Sequence, residues 1–264
     1  MMLKTLPRSK TPTGTAYLDR GHGGEVTVLI HGVGMRIEAW EPQIDFIARH
    51  HRAIAVDLPG HGDSPPLDGS PGLVEFVAWF NHFLDEMNLD SVNVVGHSMG
   101  ALIASGIVAA APEKVRRVAL LNGVYRRTQA ASEAVQKRAG EIGSGRFDPF
   151  LPLKRWFGAD ETQGKAYQTV HDLLAVVDPA GYAAAYRAFA EGDRIYADCW
   201  PDVLCPALFL TGSEDHNSTA VMAKAMAAAA PKGKAVIVSG HRHMVNLTAP
   251  EEVNQALTHW LASN

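Results

Sequence analysis

Gly96-His97-Ser98-Met99-Gly100 is the stretch that decides how this chain folds. It follows the apolar positions Val92, Val94 and Val95 and precedes a helix-forming run over 101–110. A strand that passes into a helix through one serine, with a glycine two places to either side, describes a turn too tight for a Cβ at the flanking positions. Such a turn lifts the hydroxyl over the sheet edge. It also sets it beside the first free N–H groups of the next helix, where negative charge is favoured. A serine capping an ordinary helix fits the same five residues. The choice rests on which other parts the chain supplies, and in what order.

With 264 residues, 47% hydrophobic and 20% charged, the chain is long enough for one large α/β domain, alone or with an insertion. A net charge of −4 offers no basic field to nucleic acid or an anionic membrane, so a small molecule is the expected partner. Residues 1–14 carry Lys4, Arg8 and Lys10 with no apolar stretch behind them. That predicts neither a secretory signal nor a membrane anchor, and hence a cytoplasmic protein. Cys199 and Cys205 match no disulfide scaffold and no zinc spacing, and are expected as reduced thiols.

Outward from the serine, short apolar runs over 26–30, 53–56, 92–95, 118–121, 207–210 and 235–238 read as strands covered on both faces of a mostly parallel sheet. Residues 37–49 predict one helix with Trp40, Ile44 and Ile47 inward, and 73–87 a strongly amphipathic one. In such a sheet, ligands gather at the carboxyl ends of the strands. The loop His31-Gly32-Val33-Gly34 and the Ser98 turn should therefore share one crevice, and Asn122-Gly123, Thr211 to Asp215 and Ser239 to His243 follow the later strands. His61, in the loop after 53–56, reads as packed beneath its neighbours or as a ligand. From Val124 to Pro201 the strand rhythm gives way to helical composition broken by glycine and proline, which predicts a lid over the sheet. Phe147, Phe150, Leu151, Trp156, Phe157 and Tyr186 are expected either to line a pocket beneath it or to form its own small core.

Taken together, the chain resembles an α/β-hydrolase with a helical cap inserted after the sixth strand, and the resemblance spans nearly its whole length. It implies a core over 1–123 and 202–264, a cap over 124–201, and helices on both faces of the sheet. The parts stand in the order nucleophile, acid, histidine, each at a strand end. The loop from His31 to Gln43 and the run Asp178-Pro179-Ala180-Gly181-Tyr182 are similar to those of 3-oxoadipate enol-lactonases. The tail from His243 to Asn246, with Thr248 and Pro250, resembles small hydrolases acting on pyrimidine-degradation products.

The chemistry explains the residue types. A serine hydroxyl is a poor nucleophile until an imidazole takes its proton, and an acid behind the imidazole fixes its tautomer. Ser98, His243 and Asp215 are the candidates, with the N–H groups of Val33 and Met99 as the oxyanion hole. His241 and Glu214 are neighbouring rivals, and Asn122 occupies a place that holds the acid in some relatives. His97 is expected to support the turn. Gly32, Arg36, Trp156 and Tyr186 are candidate substrate contacts, and Arg155 or Arg187 is a further candidate for binding a carboxylate. No metal or organic cofactor is expected.

The first expectation is therefore hydrolysis of a small carboxylic ester or enol-lactone through an acyl-enzyme. The alternatives are an amide or carbamate hydrolase of heterocycle degradation, or a carbon–carbon bond hydrolase, the last disfavoured by Met244 after His243. A lid-gated ligand receptor would keep the same fold, but it has no need of the three intact catalytic positions. The resemblance is also compatible with a homo-oligomer.

Overall fold

Eight strands form one sheet in the computed structural model, which describes residues 5–146, 148–158 and 164–263. They are β1 (Ser9–Lys10), β2 (Ala16–Arg20), β3 (Val26–Ile30), β4 (Arg52–Val56), β5 (Val92–His97), β6 (Val115–Leu121), β7 (Ala207–Gly212) and β8 (Gly233–Val238). Their spatial order is β1-β2-β4-β3-β5-β6-β7-β8. From β4 to β8 every neighbouring pair is parallel, while β1 and β2 add an antiparallel edge that sequence patterning did not place.

Alternate side chains of each strand feed two separate apolar layers. On one face Val28, Val94, Leu120 and Phe209 meet α2 (Leu73–Glu86), α3 (Met99–Ala110) and α8 (Ala220–Ala229). On the other, Leu29, Val95, Leu121 and Leu208 meet α1 (Glu41–Ile47) and α10 (Pro250–Leu261). Because both faces are covered, the strands read as unbroken apolar runs. The stripe on α2 lies wholly inside, with Phe76, Phe80 and Phe83 buried, each contributing about 2–3 kcal/mol of transfer free energy.

The single helix expected over 37–49 is two pieces. A 3₁₀ turn covers Ile37–Trp40, and α1 restarts at Glu41 with Pro42 in its first turn. Proline has no N–H to continue the preceding turn and is tolerated only where that N–H is unused. Trp40, Ile44 and Ile47 are nevertheless buried as the spacing predicts.

Between β6 and β7 the described residues form α4 (Gln129–Gly143), α5 (Leu153–Phe157), α6 (Lys165–Ala175) and α7 (Pro179–Gly192). Thr128 caps α4 and Asp178 caps α7, each through a side-chain oxygen that accepts a backbone N–H three residues on. Helix α7 packs on α4 and also on α2 and α3, and its Tyr182, Ala185 and Phe189 join the same apolar layer as the sheet. A short α9 (Val245–Thr248) follows β8. Among the described residues no helix is long and apolar enough to cross a membrane.

Candidate active site

Ser98 stands alone between β5 and α3, at φ 54° and ψ −109°. A non-glycine residue there carries about 1–3 kcal/mol of strain, which the surroundings must impose. They do so through hydrogen bonds: the Ser98 N–H donates to the Leu121 carbonyl at 2.9 Å, and its carbonyl accepts from Ala101 at 3.0 Å. A Cβ on Gly96 would fall 2.0 Å from the Gly100 oxygen, and one on Gly100 would fall 2.1 Å from the Ile30 oxygen. The spacing of the two glycines follows directly from this crossing of β5, α3 and β3.

His243 reaches the turn from the loop between β8 and α9. Its Nδ1–H donates to Asp215 Oδ2 at 2.8 Å, which leaves Nε2 to accept from the Ser98 hydroxyl at 3.1 Å. Two contacts hold the ring and its backbone. Trp156 stacks on it at 5.6 Å between centroids, and His97 Nε2–H donates to the His243 carbonyl at 2.8 Å. Burial, with His243 adding to it, pushes the His97 imidazole down to about 3, so it stays neutral and serves as a tether.

Burial would raise the Asp215 carboxyl, yet it is held below the ordinary carboxylate value by His243 and by its hydrogen bonds. Asn122 Nδ2 donates to Oδ2, and the Asn217 and Ser218 N–H groups donate to Oδ1. The rivals go elsewhere. Glu214 pairs with Arg242 at 3.3 Å, and His241 contacts Thr248 Oγ1 at 2.9 Å.

Gly32 lies against the turn, since a Cβ there would stand 3.1 Å from Ser98 Cβ. Among the described residues, the N–H groups of Val33 and Met99 have no hydrogen-bond partner. Two donors beside a serine hydroxyl can stabilise an oxyanion, and a hydroxyl–imidazole–carboxylate chain can move a proton onto and off the imidazole.

A cavity opens above Ser98, walled by Gly32, Val33, His243 and the inserted helices. Trp156, Tyr186 and Leu151 line it. Phe157 instead turns into the protein against Tyr167, and Phe150 stacks on His171; Phe147 lies outside the described residues. Arg36, expected at the substrate, is not on this wall. Its guanidinium meets Asp63 at 3.2 Å, because the chain after Gly34 turns toward the β4 loop. Arg187 bonds the Pro71 carbonyl.

Arg155 does line the cavity, together with Arg127 and Arg138, which sequence reasoning missed. Burial lowers the pKa of Arg155, and Arg138 lowers it further, while Arg155 Nε and Arg127 Nη2 have no partner among the described residues. Arg127 also pairs with Asp193 at 3.1 Å. Guanidinium groups gathered on one cavity wall, with unused donors on Arg155 and Arg127, are suited to an anionic ligand. Among the described residues no cluster of three histidine, cysteine or carboxylate side chains is placed to hold a metal.

A model of the alpha/beta hydrolase family matches residues 27–256. The (E)-2-((N-methylformamido)methylene)succinate hydrolase of Acinetobacter baylyi is 49% identical over 261 residues, covering 99% of this chain and 98% of that protein. Among solved structures, an esterase of Thermogutta terrifontis superposes with a TM-score of 0.85 at 23% identity, over 97% of this chain and 98% of that one. The enol-lactonase of Burkholderia xenovorans does so with a TM-score of 0.83 at 22% identity, over 97% and 100%. At those identities the two structures speak for the fold alone.

Proposed function

From the premise that the chain belongs to the alpha/beta hydrolase family, we propose that it is a serine hydrolase cleaving the amide of a small dicarboxylate. The observation that carries the reading is the hydrogen-bonded series Ser98–His243–Asp215 beneath a cavity walled by Arg127, Arg138 and Arg155. Ester or enol-lactone cleavage uses the same nucleophile. The amide is favoured because the relative that shares 49% of its residues over nearly the whole chain is named for a substrate with a formamide nitrogen and a succinate.

In this reading Ser98 Oγ adds to the amide carbonyl as its proton passes to His243 Nε2. Asp215 keeps the imidazole in the required tautomer and stabilises the imidazolium. The Val33 and Met99 N–H groups hold the oxyanion, each worth about 3 kcal/mol in the transition state. His243 then returns the proton to the departing nitrogen, which an amide needs because its nitrogen anion is a poor leaving group. Water, deprotonated by the same imidazole, releases the acyl group from Ser98. The arginines hold the carboxylates away from the reacting carbonyl.

The test is a fluorophosphonate label on Ser98 combined with turnover of the formamido-methylene succinate, an enol-lactone and p-nitrophenyl acetate. Loss of labelling and turnover in Ser98→Ala, with the dicarboxylate amide preferred, supports the reading. A turnover-competent Ser98→Ala enzyme overturns it, and a preference for the lactone reassigns the substrate.

A further inference from the structure

The loops after β3 and β4 exchange histidines. His31, in the first, donates from Nδ1 to the Gly32 carbonyl at 2.8 Å and accepts the Leu58 N–H of the second loop at 2.9 Å. His61, in the second, donates from Nδ1 to the Pro59 carbonyl at 3.1 Å and accepts the Gly34 N–H of the first loop at 3.0 Å. The rings lie 5.5 Å apart and both are buried. Burial lowers both imidazoles below their ordinary value, which keeps each Nε2 lone pair available for the backbone N–H that faces it. The two tethers act on consecutive peptides. His31 holds the carbonyl of the Gly32–Val33 peptide, whose N–H is that of Val33, and His61 holds the N–H of the next.

Helix α7 closes on this arrangement from above. A Cβ on Gly60 would stand 2.7 Å from Gly181 Cα, and one on Gly181 would stand 1.9 Å from the Gly60 oxygen, so the two backbones touch with nothing between them. Gly181 is itself fixed, its N–H donating to Asp178 Oδ1 at 2.7 Å. Gly34 is hemmed in from the same side, where a Cβ would meet Leu174 Cδ2 and Tyr182 Cε2 at 2.8 Å. A continuous path thus runs from α7 through Gly60, His61 and Gly34 to the peptide beside the Val33 N–H.

We propose that His61 is a positioning residue that aims the Val33 N–H, and that the Gly60–Gly181 contact lets the inserted helix α7 set that aim. A substrate seated against α7 is then coupled to the donor that its oxyanion will need. The inference rests on the reading of Val33 as an oxyanion donor. A side chain that acts on transition-state alignment alters kcat more than KM.

Steady-state turnover of p-nitrophenyl acetate and binding of phenylboronic acid, a tetrahedral mimic at the serine, test it. His61→Ala is expected to lower kcat by about tenfold to a hundredfold, less than the roughly 10²–10³ lost on deleting an oxyanion donor, with KM within about threefold. Boronate affinity should fall with kcat, and His61→Gln, whose Oε1 can accept the Gly34 N–H, should restore much of both. Gly181→Ala leaves His61 in place and should lower kcat in the same way. It also decides the matter if His61→Ala does not fold. Unchanged kcat and boronate affinity in folded His61→Ala, a change in KM alone, or unchanged kcat in Gly181→Ala overturns the proposal. Turnover persisting in Ser98→Ala would instead remove the acyl-transfer reading beneath it, whatever the His61 variants do.

Discussion

Asn122 Nδ2 donates to Asp215 Oδ2 at 2.8 Å, the same carboxylate oxygen that accepts from His243 Nδ1. The amide also reaches Thr211 Oγ1 and the Arg242 carbonyl, so it joins the ends of β6, β7 and the loop after β8. Asn122 sits at φ 50°, and its own carbonyl accepts from Ser218 Oγ. Asn122→Gly tolerates that backbone, keeps the carbonyl bond and removes only the amide. It is expected to lower kcat by roughly tenfold, the lower end for a hydrogen bond to a charged group, as read by steady-state kinetics on folded protein.

Asp215→Asn should be more severe. The neutral amide cannot stabilise the imidazolium and no longer imposes the tautomer in which Nε2 accepts from Ser98. A fall in kcat of about 10⁴ with little change in melting temperature is expected. Glu214, paired with Arg242, is not placed to compensate.

The arginine wall predicts a split between substrates. Arg155→Met should raise KM for a dicarboxylate amide by roughly ten- to a hundredfold, while KM for p-nitrophenyl acetate stays within about twofold. Equal losses on both substrates would count against a carboxylate contact.

Stability should depend steeply on pH on the acid side. His31, His61 and His97 are buried with lowered pKa values, that of His97 falling to about 3. Above the ordinary value of 6.5 all three are neutral in both folded and unfolded chains, so they add no pH dependence there. Below it the unfolded chain takes up protons that the folded one refuses, so stability falls with a slope approaching about 1.4 kcal/mol per pH unit from His97 alone, and the lowered His31 and His61 steepen it in the same direction. Urea unfolding between pH 7 and 5 reads the slope, and His97→Gln should flatten it by about 1.4 kcal/mol per unit.

Gly96→Ala tests the turn itself. The added Cβ would meet the Gly100 oxygen at 2.0 Å, backbone against backbone, with no flexible side chain to yield. A loss of at least about 3 kcal/mol is expected by denaturant titration.

Most of the sheet was legible because burial on both faces writes each central strand as an apolar run, and β3 was read to its ends. β1 and β2 lie at the edge, where two residues and a weakly alternating AYLDR leave no such pattern. Helix α5 is five residues between Pro152 and Gly158, too short for periodicity to register. At the site, Ser98, Asp215 and His243 stood out because each lies in the turn or loop that follows a strand of the sheet. Arg127 and Arg138 carried no local mark, since an arginine on a helical stretch reads as a solvated face until the tertiary structure turns it inward. His61 is packed, one of the two roles its loop position allows, but its hydrogen bond to Gly34 across 27 residues has no signature in the sequence.

β6 and β7 are hydrogen-bonded neighbours, although the chain makes its longest excursion between them. An excursion that leaves and re-enters at adjoining strands disturbs no register, however long it grows or whatever it contains. Exchanging that segment would reshape the cavity wall and leave the strand pairing intact, provided that the replacement keeps Asn122 on Asp215 and Trp156 on His243. A further condition concerns backbone alone: wherever a replacement crosses Gly60, it must bring a residue without a side chain.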